Sequence, residues 1–99
     1  MAIVQVSVLP VGTEGSSISR FVAGAITVLQ DSGLDYRLTD MGTIIYGELD
    51  EILRVVKRMH ESCFGGKVTR VLTQIVVDDR RDRMVGPDEK VQSVLSKLG

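Results

Sequence analysis

Two stretches of the chain have the residue pattern of strands, the first alternating between apolar and polar residues and the second apolar on both faces in its middle. In the first, Ala2 to Leu9, valines occupy every second position, and glutamine and serine stand between them. Because successive side chains of a strand point to opposite faces, the valines are predicted to face a core. The last such stretch, Val68 to Asp79, is apolar on both faces in its middle, which is typical of a strand covered on both sides.

Apolar residues at helical spacing mark three further segments. The first runs from Ile18 to Ser32 and ends before Gly33, a residue suited to the left-handed conformation at a helix end. The second is predicted from about Leu49 to Cys63. The third begins at Gly86-Pro87-Asp88, with proline near its first position. Its apolar stripe consists of Val91, Val94, Leu95 and Leu98.

The segment between the first two helices, Leu34 to Glu48, is typical of a β-hairpin. A short and mostly polar strand from 35 to 39 leads to a tight turn at Asp40-Met41-Gly42, where glycine permits φ > 0. The β-branched and aromatic run from 43 to 46 forms the return strand. We expect this hairpin to bring Thr43, Tyr46 and Glu48 close together.

The order of elements is therefore β-α-β-β-α-β with an extra C-terminal helix. This order predicts an α+β fold of the ferredoxin-like type, an antiparallel sheet with both main helices on one face. Right-handed crossovers place the first strand between the third and the fourth. A chain of 99 residues without linker or internal repeat indicates one domain over 1–99.

The second face of the predicted sheet is left uncovered by the two main helices. The residues of this face are too apolar as a group to stay exposed to solvent in a stable monomer. They are Ile3, Gln5, Leu9, Leu72, Gln74 and Val76. We expect another copy of the chain to pack there, and the long last strand also offers an edge for pairing. A homodimer or a homotetramer built as a dimer of dimers is predicted.

Charge and cysteine content restrict the class of protein. Twelve Lys and Arg residues against 13 Asp and Glu give a net charge of −1, whereas nucleic-acid binding depends on an excess of positive charge. The single cysteine excludes an internal disulfide and fits a reducing compartment. The chain starts without a basic, apolar leader and has no run near the ~20 apolar residues of a membrane span. We expect a cytoplasmic protein with neither nucleic-acid nor membrane partners.

Three residues of the hairpin suggest a small-molecule ligand. Thr43 offers a hydroxyl, Tyr46 an aromatic ring and Glu48 a negative charge, a set that suits a flat, cationic heterocycle. Cross-strand packing explains the first two residues equally well. An acid at the start of a helix also suits the helix dipole, which is the structural interpretation of Glu48.

Other reactive residues are interpreted as structural. His60 lies at the border of the apolar stripe of the second helix, and Cys63 lies within the stripe. The alternating Asp and Arg residues from 78 to 83 favour mutual ion pairs over hard-metal binding, because the spacing of a calcium loop is absent. Neither a metal nor a cofactor is expected, although thiamine becomes a possible ligand from the resemblance that follows.

Four segments resemble the small thiamine-binding proteins, a family with a ferredoxin-like fold. The segments are VLPVGTEGSSISRFVA, MGTIIYGELDEI, RVLTQIVVDDRRD and EKVQSV, and they follow the order of the family over nearly the whole chain. The resemblance implies a non-enzymatic, cytoplasmic homo-oligomer, with a tetramer favoured. It also implies binding of thiamine or its hydroxymethylpyrimidine moiety, for carriage, storage or sensing.

Candidate ligand-binding residues follow from the hairpin and from this resemblance. Gly42-Thr43 matches the hairpin pattern of the family, and Arg70 matches on the last strand. The candidate ligand-binding set is Ser7, Ser16, Ser17, Thr43, Tyr46, Glu48, Thr73 and Asp78. The family commonly has an acidic residue where this chain has Tyr46, so either Glu48 supplies that charge or the ligand differs.

Other functions on the same fold are weighed against this one. An acylphosphatase-like hydrolase requires an anion-binding loop with an arginine after the first strand, but the loop from Pro10 to Ser17 contains no Arg or Lys. An RNA-binding sheet requires exposed aromatic residues on its central strands, and neither long strand contains one. A structural oligomer without a ligand remains an alternative.

Overall fold

The computed structural model of the chain describes residues 1–12, 18–83 and 86–99. Its elements are β1 (Ala2–Pro10), α1 (Ser19–Ser32), β2 (Asp35–Thr39), β3 (Gly42–Gly47), α2 (Leu49–Ser62), β4 (Val71–Asp79) and α3 (Glu89–Leu98). The predicted α+β, ferredoxin-like fold with an extra helix is confirmed. Over the described ranges, each helix is too short or too polar to cross a membrane.

The four strands form one antiparallel sheet in the order β2-β3-β1-β4. β1 pairs with β3 from Ala2↔Gly47 to Val6↔Thr43, and it pairs with β4 along its whole length. The first strand thus lies between the third and the fourth, as right-handed crossovers predict. β2 and β4 form the two edges of the sheet.

The hydrophobic core lies between the sheet and helices α1 and α2. Val4, Val6 and Ile45 point into it and are at most 2% exposed. The two helices contribute Ala25, Leu29, Ile52, Val55, Val56 and Met59. Full burial of a large aliphatic side chain stabilises the fold by roughly 1.5–3 kcal/mol. The side of the sheet covered by these helices is called the helix face below.

The last strand is shorter than its sequence predicts, beginning at Val71 and not at Val68. The Val68 N–H donates a 3.0 Å hydrogen bond to the carbonyl oxygen of Gly65, which closes a separate turn ahead of the strand. Gly66 within this turn has a φ of 56°, in the left-handed region that glycine tolerates. The β-branched sequence from Val68 onward therefore enters the sheet only after this turn has ended.

The hairpin turn depends on glycine at position 42. Thr39 pairs with Gly42 and leaves Asp40 and Met41 as the loop, and Gly42 has the predicted positive φ, of 153°. A side chain at this position would place its Cβ 3.0 Å from the carbonyl oxygen of Val6. The hairpin can lie this close to β1 because residue 42 has no side chain.

The sheet face away from α1 and α2, called the open face below, stays largely exposed. Leu9, Leu72 and Val76 lie on it and are 41%, 47% and 64% exposed. They occupy the positions that alternate with the buried Val4 and Val6 along β1 and with their partners on β4. The apolar second face expected from the sequence is therefore present and is not covered within the described chain.

The third helix starts against one end of the open face and then leaves it. Asp88 accepts a 3.2 Å hydrogen bond from Arg37 on β2, and Lys90 forms an ion pair with Asp78 on β4. Because β2 and β4 are opposite edges, the chain at 88–90 crosses this end of the sheet. Within the described residues, α3 packs against no other helix or strand, and none of its residues is buried. The described chain is elongated, measuring 48 × 30 × 20 Å.

Candidate functional site

A cavity of about 350 Å³ lies between the hairpin turn, the end of β1 and the first turns of α1. It is called the hairpin cavity below. Its apolar lining includes Ile18, Val22, Leu38, Met41 and Met59. Its polar lining residues are Ser7, Thr39, Asp40 and Thr43. The described lining thus combines a predominantly apolar wall with the Thr43 hydroxyl and the Asp40 carboxylate, because strand alternation directs the side chains of Ser7 and Thr39 to the other face of the sheet.

Thr43 is placed in this cavity by the alternation of β3. It pairs with Val6, points to the helix face and is only 6% exposed. The Thr43 hydroxyl forms no hydrogen bond with any described residue. Every fully buried side-chain oxygen among the described residues has a hydrogen-bond partner, so the Thr43 oxygen is not fully buried. The Thr43 oxygen therefore opens toward the cavity and is available to a bound molecule.

The expectation that the hairpin gathers Thr43, Tyr46 and Glu48 is wrong. Thr43 and Tyr46 are an odd number of positions apart in one strand, so their side chains leave the sheet on opposite faces. Tyr46 pairs with Ile3 and belongs to the open face. Glu48 is the residue that precedes α2. It borders a separate cavity, whose other charged side chains are Asp50, Asp79 and Arg81.

Tyr46 and Asp78, two of the predicted site residues, share one row of the open face. The row runs from β2 to β4 through Asp35, Tyr46, Ile3 and Asp78. Tyr46 is only 8% exposed, and the carboxylate of Asp78 is held by the ammonium group of Lys90. The structure brings these two residues to one surface, and that surface is separate from the hairpin cavity.

Thr73 contacts His60 on α2. The Oγ1 of Thr73 and the Nδ1 of His60 are 2.6 Å apart and share a hydrogen bond. The imidazole also meets the ring of Phe64 edge-on, with 5.3 Å between ring centroids. This contact ties the edge strand β4 to α2. Sequence reasoning missed it, because a threonine in a strand carries no sign of which distant side chain it meets.

The three predicted serines divide into two groups. Ser7 borders the hairpin cavity, but its side chain points to the open face, because it alternates along β1 with Val6 and Val8, which face the helices. Ser16 and Ser17 lie outside the described residues. Arg70, which the resemblance singled out, precedes β4, and its carbonyl oxygen accepts a 2.9 Å hydrogen bond from the Val11 N–H.

The charged run after β4 consists of ion pairs. The Arg80 guanidinium donates a 2.6 Å hydrogen bond to Asp82, and Arg81 lies 2.9 Å from Asp79. The hydrogen bond from Arg80 holds the pKa of the Asp82 carboxyl below its ordinary value. The mutual pairing predicted from the alternation of Asp and Arg is confirmed for these four residues. The other two members of the run pair with α3, Asp78 with Lys90 and Arg83 with Glu89.

Cys63 is a core residue, as predicted. Its side chain is 1% exposed, and burial raises the pKa of its thiol above the ordinary value. A thiol of this kind is a poor nucleophile at neutral pH, because the reactive form is the thiolate.

The most informative residues that sequence reasoning missed are those at the rim of the hairpin cavity. Leu38 and Met41 are 61% and 81% exposed, and Asp40 lies between them in sequence at the turn. A methionine in a two-residue hairpin loop is unusual, since turns favour Gly, Asn, Asp and Ser. That residue choice was the available signal for an apolar rim.

Comparison with known proteins gives matches over nearly the full length. A family model described as thiamine-binding protein matches residues 4–95. The "UPF0045 protein in glkA 3'region" of Staphylococcus xylosus is 44% identical over 98 residues, covering 95% of this chain and 92% of the relative. The UPF0045 protein YqgV of Bacillus subtilis is 39% identical over 102 residues, covering 99% and 98%. The crystal structure of hypothetical protein MJ1052 from Methanocaldococcus jannaschii superposes with a TM-score of 0.84 at 32% identity, covering 94% of each chain.

Proposed function

The chain belongs to the thiamine-binding protein family, and from this premise we propose that it binds thiamine or the hydroxymethylpyrimidine moiety of thiamine. In this proposal the protein binds the compound without transforming it, and serves in carriage, storage or sensing. It does so as a homo-oligomer in the cytoplasm. The observation that carries the proposal is the free hydroxyl of Thr43 inside an apolar cavity.

The hairpin cavity is the ligand site in this proposal. Its volume of about 350 Å³ lies within the range of roughly 300–1,000 Å³ of small-molecule pockets. Met41 and Met59 line it, and thioether side chains adapt to the shape of a ring and contact it favourably. Thr43 then orients the heterocycle through a hydrogen bond to a ring substituent or ring nitrogen.

The positive charge of the thiazolium ring of thiamine requires a negative partner. Among the described carboxylates, Asp40 is the best candidate for this partner. It lines the cavity and forms no ion pair with any described residue. Glu48 is one of the two alternatives that the sequence leaves open for this charge, the other being a different ligand, but Glu48 borders the separate cavity near Arg81. We therefore assign the charge-balancing role to Asp40.

Self-association is supported by apolar side chains that one chain leaves in water. Besides the open face, Ile75 and Val77 on the helix face of β4 are each 43% exposed. β4 is a nine-residue edge strand, and its outer edge has no strand partner in the described parts of the chain. Long apolar edges are covered in stable proteins. A dimer or tetramer of this chain provides that cover.

Calorimetric titration of the purified protein with thiamine, and separately with hydroxymethylpyrimidine, tests the ligand. Binding should release or absorb heat at a defined stoichiometry and raise the thermal midpoint, since a ligand selective for the native state stabilises it by about 2.7 kcal/mol at 100 times its Kd. Absence of both effects at millimolar concentration would contradict the proposal. A structural oligomer without ligand would then be the better description.

A further inference from the structure

We infer that α3 is an exchanged arm: the apolar stripe of α3 (Val91, Val94, Leu95 and Leu98) packs on the open face of a second copy of this chain. The inference rests on the homo-oligomer of the proposed function and names the element that covers its exposed surface. The packing is reciprocal, so that each of two chains both offers its α3 and receives that of its partner.

The sequence of α3 has an apolar stripe, as packed helices do, but in the single chain this stripe is exposed to solvent. Its stripe residues Val91, Val94, Leu95 and Leu98 are 54%, 57%, 52% and 78% exposed. Among the described residues no other helix or strand packs against α3. An isolated helix of ten residues is marginal in water, because most helical stability in proteins comes from packing of an apolar face. The stripe therefore requires a partner surface.

The chain's own sheet is not that surface, because α3 is held at its start and directed away. Asp88 is tied to Arg37 on one edge strand and Lys90 to Asp78 on the other. Arg37 and Asp78 stand in adjacent rows of the open face, so these two ion pairs place the start of the helix over this end of the sheet. From there the helix leaves the sheet, since none of its residues is buried and, among the described residues, no strand packs against it.

The open face and the stripe match in length. The ten residues of α3 span about 15 Å at ~1.5 Å per residue. On the open face, the uncovered apolar positions run along β4 from Leu72 to Val76, about 13 Å at ~3.3 Å per residue. One helix therefore covers the uncovered part of one sheet.

The two surfaces also match in charge. From Val91 to Ser96 the helix contains no ionisable side chain, and its polar residues there are Gln92, Ser93 and Ser96. Along β1 and β4 the middle of the open face is likewise uncharged, since its polar residues there are Gln5, Ser7 and Gln74. Arg37 of β2, which shares the row of Gln5, is already paired with Asp88. Contact between these surfaces buries no unpaired charge, which would be strongly unfavourable.

A second copy satisfies both surfaces at once. The same chain carries one donor helix and one acceptor sheet, so a two-fold arrangement covers both the stripe and the uncovered part of the open face, as isologous dimers do. The apolar side chains that become covered are Leu9, Leu72 and Val76 of the sheet and the four of the stripe. Counted on both chains they form an apolar centre suited to an interface of standard size, about 1,200–2,000 Å².

Disulfide trapping tests the exchange in the full-length chain. Val76 and Leu95 are exposed in one chain, and the native Cys63 is 1% exposed and does not compete. The V76C/L95C chain, oxidised mildly, is expected to give a covalent dimer on a non-reducing gel that disappears on reduction. V76C/S96C is the control, because Ser96 lies off the stripe and donates to the Ser93 carbonyl; it should cross-link several-fold less.

Three results separate this inference from the proposal on which it rests. An intrachain disulfide in a monomeric band, or no cross-link in a protein that light scattering shows to be oligomeric, would overturn the exchange and leave the oligomer standing. A monomer by light scattering at micromolar concentration would overturn both. None of these three results concerns thiamine, so the ligand proposal is decided by its own titration.

A second test uses no introduced cysteine, so that it stays informative if the cysteine pair perturbs the fold. Leu95→Asp is expected to halve the subunit number measured by light scattering, with an unchanged circular dichroism spectrum, because a charge at this position cannot be buried against an uncharged sheet. Ser96→Asp, one position away and off the stripe, is expected to keep the full subunit number. Equal masses for both variants and the parent protein would refute the docking of this stripe.

Discussion

Thr43 and Tyr46 stand three positions apart in β3, and their side chains leave the sheet on opposite faces. Thr43, opposite Val6, points toward the helices and lines the hairpin cavity, whereas Tyr46, opposite Ile3, points to the open face. One short strand therefore serves both a proposed ligand cavity and a proposed self-association surface. Substitutions at the two positions are expected to affect different properties.

Thr43→Val is expected to weaken thiamine binding while the free energy of unfolding changes little, since valine keeps the shape of threonine and removes the hydroxyl. A lost hydrogen bond of about 0.5–1.5 kcal/mol corresponds to a roughly 2- to 10-fold rise in Kd, measured by calorimetric titration. Thr27→Val is the matched control, because Thr27 is exposed on α1 and its hydroxyl donates to the Ala23 carbonyl. The same Kd for both variants and the parent would place the ligand outside the hairpin cavity.

Asp40→Asn is expected to weaken binding of cationic thiamine and to leave binding of the neutral hydroxymethylpyrimidine unchanged. Asp40 is exposed, so its interaction with the thiazolium is worth up to ~1 kcal/mol, or about 5-fold in Kd, at low salt. The effect should shrink as salt screens the charges. Glu48→Gln serves as the control at the start of α2. If this control weakened thiamine binding more than Asp40→Asn, the cation site would lie beside Glu48 and Arg81 instead.

Thr73→Val separates the structural and ligand-binding roles of Thr73. We expect a loss of about 1 kcal/mol in the free energy of unfolding, because His60 loses its partner at 2.6 Å. Thiamine affinity should not change. Urea unfolding and titration measure the two quantities, and Thr69→Val, an exposed threonine before β4, controls for the substitution itself. If the free energy of unfolding were unchanged and thiamine bound more weakly, Thr73 would be a ligand-binding residue after all.

The buried Cys63 makes the stability of the protein depend on pH in the alkaline range. Burial raises the pKa of the native thiol, so the unfolded chain releases this proton at a lower pH than the native protein does. Between the ordinary and the raised pKa the unfolded state binds fewer protons, and the free energy of unfolding falls as the pH rises. This contribution is fully present below the ordinary thiol pKa.

Cys63→Ala removes that contribution and provides the comparison. Urea unfolding of the parent and the variant is measured at about pH 7 and about pH 10, on either side of the ordinary thiol pKa of ~8.5. The parent should lose more stability than the variant over this interval. An equal loss in both proteins would assign the pH dependence to other titrating groups.

Much of the fold could be predicted because its signals are local. The alternating valines of β1, the helical spacing in α1 and α2, and the turn at Gly42 each lie within one segment of the chain. Their order, combined with the handedness of crossovers, leads to the strand order that is observed. The exposed second face could be predicted for the same reason, because alternation assigns the face of every strand residue.

The candidate site was predicted less well, for a physical reason that particular residues illustrate. Thr43, Tyr46 and Glu48 are close together in sequence, but strand alternation and the start of α2 direct their side chains to three different surfaces. The cavity around Thr43 is completed by residues of α1, β2 and α2 that are distant in sequence. Asp40 and Met41 become residues of a cavity rim only when these distant elements pack together.

What the sequence determined by itself was the element order, the buried side of each helix and strand, and the family resemblance, because periodicity and turn chemistry act between near neighbours in the chain. What only the tertiary structure decided was which distant residues meet. His60 forms a hydrogen bond with Thr73, which is 13 positions away in the sequence, and Arg37 forms one with Asp88, which is 51 positions away. Such contacts depend on how packed elements are placed in space, and no pattern within a single segment encodes that placement.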